Sequence, residues 1–407
     1  MKTFRQLLLI SLFWCGARAG FAQTWTLTGA STNLGWGCIA CSADGAKQVA
    51  AGNEVGVWVS TNSGDTWTMT SAPNTNDWGA VASSADGTGL AAMDGNYGVI
   101  YASADSGTTW TKLNVPAWSW RFIALSADGT KMAASATDPA FNEYVFISAD
   151  SGVTWTSNSL PGNSAVYVAT SPDGNRLLAA SGAGYILTST NSGVTWQSVA
   201  SGILYLQSIA ASASGSTLVV GCEGFILAST NSGAAWNSNS VSAFGSLAIV
   251  SGCASSADGT TLAAVAGSSI VGHRGAGVIV TSTNSGATWI PADAPVKIWT
   301  GVACSADGGK WVGSASYSPF APFPSAQVGG IYRSQTTPAP WMNLAPAGNH
   351  LTASWIVPST NFVLQQSPDL FDWTDVTNPP VLNLTHLQEE VVLSPTNSCG
   401  FLRLKTP

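Results

Sequence analysis

Few side chains in this 407-residue chain are equipped for chemistry, because Asp, Glu, Lys and Arg together make up only 9% of it, against about 25% in an average soluble protein. Eight of the 21 acids recur inside repeated motifs described below. Outside them stand Glu54, Asp94, Asp138, Glu143 and Glu223, with Asp77 and Asp293. Two of these facing each other would make an acid and base pair; taken singly they read as solvated loop acids. The three histidines, His273, His350 and His386, are scattered, and no cysteine pair has zinc-ligand spacing with a histidine near it, so neither a metal nor a cofactor is expected. The Trp count of 18 makes aromatic stacking the other chemistry on offer.

What positions these residues is a repeat of about 44 residues. Ser-x-Asp-Gly turns begin at Ser42, Ser84, Ser126, Ser171, Ser212, Ser256 and Ser305, the fifth carrying Ser214 in place of Asp. Each is followed by an eight-residue box, Ser-x-(Asp/Asn)-Ser-Gly-x-(Thr/Ala)-Trp, complete at Ser60–Trp67, Ser103–Trp110, Ser148–Trp155, Ser189–Trp196, Ser229–Trp236 and Ser282–Trp289. Its third residue is Asn62, Asp105, Asp150, Asn191, Asn231 or Asn284. Tolerance of a neutral amide there points to a hydrogen-bonding, structural role. In the first unit the pattern predicts strands at Trp36–Cys41, Gln48–Ala51, Gly56–Ser60 and Thr66–Thr70, with glycine supplying positive φ in both turns. The box tryptophans read as core, packed back between strands.

Seven units of four short strands suit an all-β, seven-bladed β-propeller. Thr24–Thr28 repeats the fourth-strand pattern of Thr66–Thr70, so the N-terminal strand is expected to complete the last blade and close the ring. The chain divides into a leader at 1–22, a propeller at 23–335, a linker at 336–343 that includes Pro338 and Pro340, and a small sandwich-like β domain at 344–407. The leader reading rests on Lys2 and Arg5, the apolar run Leu7–Trp14, and small-x-small sites ending at Ala19 and Ala22. It predicts a secreted, periplasmic or cell-surface protein. Its removal takes the net charge from −7 to about −10, a surface that repels nucleic acid and anionic membranes. Cys38, Cys41, Cys222, Cys253, Cys304 and Cys399 remain, and six thiols allow fifteen complete pairings.

The box is similar to the Asp-box of BNR-repeat β-propellers, a group that includes sialidases, xyloglucanase-type glycoside hydrolases, sortilin-like receptors and photosystem II assembly factors. The resemblance covers Thr24 to Ser334. The tail, with Phe362 to Trp373 and Phe401-Leu-Arg-Leu-Lys405, looks like a short C-terminal module of secreted proteins of environmental bacteria. The resemblance implies that the boxes lie on the face opposite any active site. A sialidase would need three arginines around its substrate; Arg121, Arg176, Arg274, Arg333 and Arg403 are the only ones after the leader, and Arg176 sits at a repeat position shared with Lys47, Lys131 and Lys310. A xyloglucanase-like reading needs two carboxylates about 6.5–9.5 Å apart. The assembly factors use a basic arginine patch, which this acidic chain lacks.

For binding, Trp36, Trp78, Trp120 and Trp299 each stand six residues before a turn serine, where the other units have Ala165, Leu206 and Val250. They would form one arc of the ring, either wedged between blades or offered as a stacking platform. Arg121 follows Trp120, and the long insertion carrying Tyr317, Phe320 and Phe323 would border the arc. A second insertion spans Ser268–Ala276. The expected function is a non-catalytic, monomeric binding or scaffold module for polysaccharide or extracellular protein, with no catalytic residue; the alternative is a glycoside hydrolase using a carboxylate pair on the face opposite the boxes.

Overall fold

The computed structural model describes Trp25 to Lys405 apart from residues 74–76, 96–97, 161–165, 182, 203–204, 242–247, 271–272, 318–327, 336–342, 348–349, 357–362, 368–373, 377–379, 384–387 and 394–400. The leader, Ala165, Phe320, Phe323, the linker prolines and Cys399 lie outside the described residues. All regular elements described are strands. Those from Trp25 to Gln335 form seven four-stranded antiparallel sheets, numbered here in the order of their turn serines. Sheet one consists of Trp36–Cys41, Gln48–Gly52, Gly56–Ser60 and Thr68–Met69. Sheet seven consists of Ile298–Cys304, Lys310–Ser316 and Gly330–Gln335, and its fourth strand is Trp25–Leu27, which pairs with Trp25 opposite Ser334 and Leu27 opposite Tyr332. The strand Trp25–Leu27 closes the fold, as its pattern predicts.

A belt of backbone hydrogen bonds ties the turns together. The second residue of each turn donates its N–H to the same residue of the next turn: Ala43 to Ala85, Ala85 to Ala127, Ala127 to Pro172, Ala213 to Ala257, Ala257 to Ala306, and Ala306 back to Ala43, each at 2.7–2.8 Å. The last of these bonds closes the circle. Pro172 has no N–H to give, so the step from sheet four to sheet five lacks this bond.

Each box is held by its own polar groups. Ser60 Oγ accepts the Gly64 N–H at 2.9 Å, and Asn62 Oδ1 accepts the Thr66 N–H at 2.9 Å while its amide donates to Thr66 Oγ1. Asp105 makes the same loop with the polarity of one bond reversed, its carboxylate accepting both the N–H and the hydroxyl of Thr109. Both residues at the bend, Ser63 and Gly64, have positive φ (57° and 88°). Glycine suits this region and serine enters it at a cost, which the bonds around the loop offset.

Residues 343–405 form a four-stranded and a three-stranded sheet. The two share a small buried cluster of Ala353 and Trp355 with Val391 and Leu364.

Candidate functional site

Because neighbouring strands in each sheet are antiparallel, the Ser-x-Asp-Gly turns and the boxes emerge at one end of the sheets. The hairpins between second and third strands, and the connections between sheets, emerge at the other. The second end carries the segments the repeat does not dictate.

The tryptophan arc is not a platform. Trp36 is 0%, Trp78 and Trp120 1%, and Trp299 3% exposed. Trp36, Trp78 and Trp120 each donate their indole N–H to a carbonyl of the preceding connection, on Ser31, Pro73 and Pro116. Their rings meet other aromatics edge-on or tilted: Trp36 with Trp58 at 6.2 Å, Trp78 with Tyr101 at 5.7 Å, Trp120 with Phe146 at 5.0 Å and Trp299 with Tyr332 at 5.3 Å. Leu206 and Val250, at the same repeat position, are buried as well. The position is a wedge between sheets. The box tryptophans, expected as core, are instead half-buried at Trp67, Trp110, Trp155, Trp196, Trp236 and Trp289, because they lie next to the short outer strand.

Other aromatic side chains do reach solvent at the loop end. Phe141, in the hairpin of sheet three, is 74% exposed, Tyr205, in the connection into sheet five, 60%, and Tyr317, at the start of the long insertion, 43%. Phe141 and Tyr205 also have positive φ, 65° and 60°, a region in which a bulky side chain is a genuine outlier and the strain favours a functional reading. Asp138 enforces the Phe141 conformation: its carboxylate accepts the N–H groups of Ala140 and Asn142 at 2.8 Å and the Asn142 amide at 2.9 Å. Nothing in the repeat marks these two residues, so a reading by repeat position passes over them.

Two of the acids are not solvated. Asp94 is fully buried, with Oδ2 accepting the Asp77 N–H at 3.0 Å. Glu143 is 2% exposed; it pairs with Thr137 at the end of the hairpin that bears Phe141. Burial pushes its carboxyl from 4.5 up to about 7, against the pull of the Arg121 guanidinium and a hydrogen bond from Thr137. Arg121 itself is exposed beside the buried Trp120, near the loop end of the innermost strand of sheet three. A further residue without a sequence signal is Lys297. Only 6% exposed, it donates from Nζ to the Val328 carbonyl at 3.0 Å and lies 5.4 Å from the centre of the Tyr332 ring, pinning the chain where it returns from the long insertion. The second insertion prolongs the middle hairpin of sheet six as strands Leu262–Ile270 and His273–Ser282.

Cys38, Cys41, Cys222, Cys253 and Cys304 are free thiols. Burial pushes Cys38, Cys41, Cys222 and Cys253 up to about 12, so none is a nucleophile near neutral pH. Among the described residues no group of three or more His, Cys, Asp or Glu is placed to hold a metal ion, and no helix is long and apolar enough to cross a membrane.

No family model and no curated protein sequence matches this chain. Solved structures do. YCF48 from Cyanidioschyzon merolae is 13% identical with a TM-score of 0.54, over 77% of this chain and 98% of that one. YCF48 bound to D1 peptide is 15% identical at 0.53, over 77% and 97%. The GH74 xyloglucanase from Xanthomonas campestris is 14% identical at 0.55, over 82% of this chain and 59% of that one. At such identities the likeness shows the fold, a β-propeller.

Proposed function

We propose that this protein is a secreted binding module whose ligand face is the loop end of the propeller, and that its ligand is an extended extracellular polysaccharide or protein segment. The observation that carries the reading is the pair of exposed aromatics, Phe141 and Tyr205, held in left-handed backbone conformations. A ring fixed in place loses little entropy when a sugar or peptide packs on it. Arg121, on the innermost strand of the same sheet as Phe141, supplies a charged hydrogen-bond donor. Among the structural relatives a YCF48 structure holds a peptide, which supports protein ligands as a class for this fold. The test is a glycan and peptide array followed by titration of the hits. Phe141→Asn and Tyr205→Asn keep a residue tolerant of positive φ and remove the ring, and each is expected to weaken binding about tenfold. Unchanged affinity of both variants for every hit would sink the proposal.

Glu143 favours one second reading, glycoside hydrolysis. A carboxyl still protonated near pH 7 is what a general acid requires, and burial supplies it here. Reducing-sugar release that disappears in Glu143→Gln would establish this reading; binding without turnover would remove it.

A further inference from the structure

The opposite end of the molecule carries a site that departs from its own repeat. The residue five after the turn serine sends its stem across the seam onto the turn of the next sheet. A β-carbon placed on Gly87 would lie 2.7 Å from Lys47 Cδ, one on Gly174 2.5 Å from Lys131 Cδ, one on Gly45 3.2 Å from Lys310 Cδ, and one on Gly215 3.2 Å from Arg176 Cδ. Three of these four cations meet a turn that contains an aspartate. Lys310 donates to the Asp44 carbonyl at 2.9 Å. Lys47 acts on the carboxylate of Asp86 and Lys131 on that of Asp173. Arg176 meets the fifth turn, where Ser214 replaces the aspartate. The box of sheet five carries Asn231 and that of sheet four Asn191, so the boxes flanking the seam add no carboxylate either.

Two further features converge on this seam. It is the step at which Pro172 breaks the backbone belt. The cleft there, lined by Thr170, Arg176, Thr188, Ser212, Gly215 and Ser232 among others, measures about 50 Å³, whereas the corresponding spaces between sheets seven and one and between sheets one and two are about 10 Å³ each. A single water needs about 10–15 Å³, so the other two seams hold at most one and this one has room for a group of several heavy atoms. Loss of the aspartate also leaves a hydroxyl hydrogen without a carboxylate to accept it. In the other turns the serine hydroxyl donates to the carboxylate, as Ser256 does to Asp258 at 2.6 Å; here Ser212 Oγ lies 3.3 Å from Ser214 Oγ, which lies 2.7 Å from Ser216 Oγ. A row of hydroxyls beside a guanidinium with no carboxylate facing it matches the geometry of an oxyanion.

We propose that the cleft between sheets four and five binds a tetrahedral oxyanion, a sulfate or phosphate group, with Arg176 as its charge partner, the Ser212 hydroxyl at the cleft wall and the Ser214 and Ser216 hydroxyls in the adjoining turn as donors. The site lies on the box face and does not depend on the loop-end reading. The group is either a free ion or the pendant ester of an acidic polymer. On a chain of net charge −7, retention of a polyanion has to come from a local site.

The experiment titrates the full-length protein with inorganic sulfate and with inorganic phosphate at constant ionic strength, by calorimetry and by ³¹P line width. Saturable binding is expected in the wild type. Ser214→Asp restores the aspartate that six sister turns already carry, and Arg176→Gln removes the charge; each is expected to weaken binding by at least about tenfold, the weight of one charge-assisted hydrogen bond. The reciprocal change, Asp173→Ser in front of Lys131, is expected to add a second saturable site. Thermal unfolding of each variant separates loss of the site from loss of the fold, and Arg176→Gln carries the same readout should Ser214→Asp fold poorly. Retention on dextran sulfate by the wild type and not by Ser214→Asp would assign the pendant ester; binding of the free ions without retention would assign the free ion. Equal binding by wild type and Ser214→Asp, or no saturation at tens of millimolar, overturns the proposal.

Discussion

At the scale of single residues, the carboxylates fall into groups with opposite responses to pH. Asp105 and Asp150 are held down to about 2, first by the hydroxyl and N–H of Thr109 and of Thr154 and then by Ser103 and Ser148. The folded state therefore releases these protons more readily than the unfolded chain. The stability they add is present above about pH 4 and is lost as pH falls towards 2. The double variant Asp105→Asn/Asp150→Asn converts both boxes to the form that Asn62 already has, and its melting temperature is expected to fall less than that of the wild type between pH 5 and 2. Parallel curves would show that the boxes contribute nothing to acid sensitivity. Glu143 works in the other direction. Raised from 4.5 to about 7 by burial, it is comfortable when neutral, so its contribution to stability is complete below about pH 4.5 and is lost as pH rises through 7. Glu143→Gln keeps the neutral shape and is expected to stabilise the fold by on the order of 2 kcal/mol at pH 8 and by little at pH 4, read from urea midpoints at the two pH values.

At the scale of elements, the start of the innermost strand is where a sheet is wedged against its neighbour. Trp36 is fully buried, with its N–H satisfied by Ser31, whereas Trp67 is half-buried just before the short outer strand. Trp36→Ala is expected to cost about 3–5 kcal/mol, the usual range for a buried aromatic, and Trp67→Ala clearly less; equal urea midpoints for the two would contradict the placement. The repeat alone reads the box tryptophans as core, and the reason they lie shallower is physical. A motif declares that its Trp is required, but its depth depends on which strand is central, and that is decided by packing between sheets. The turns, the boxes and the closing strand were legible because each is local: Asp-Gly and Ser-Gly specify turn geometry, and Thr24–Thr28 copies a fourth strand. Burial of Glu143 was not, since it follows Asn142 and reads as loop until the strand Glu143–Ser148 pairs it with Thr137. Phe141 and Tyr205 were missed for a related reason, because their φ angles are set by the local loop and not by the repeat.

At the scale of the whole molecule, stability depends on a ring whose two ends must be joined. Contacts of several kinds join the two ends, some completing sheet seven and some fastening it to sheet one. The strand Trp25–Leu27 pairs with Gly330–Gln335, and Trp25 buries its ring 5.9 Å from that of Trp299. Ala306 donates to Ala43, and Lys310 to the Asp44 carbonyl. Arg333 donates to the Ser63 carbonyl at 2.7 Å and pairs with Asp65 at 2.7 Å, linking sheet seven to the first box. The ion pair is part-exposed, at 33% and 60%, and such pairs are worth roughly 0–1 kcal/mol. Trp25, 6% exposed, brings a transfer and a cavity contribution of about 3–5 kcal/mol when truncated. Closure should therefore reside in the apolar strand and only slightly in the charge pair. In a stack of repeats each unit contacts only its neighbours, and joining the ends couples the first unit to the last, so weakening the joint should loosen both. Trp25→Ala is expected to lower the urea midpoint well below that of Arg333→Gln, and to speed amide exchange at Ala43 and Val49 in sheet one as well as at Val312 in sheet seven. If Arg333→Gln costs as much as Trp25→Ala, the electrostatic clasp is the true lock. If exchange rises in sheet seven alone, the ring is a stack of independent sheets with its ends merely touching.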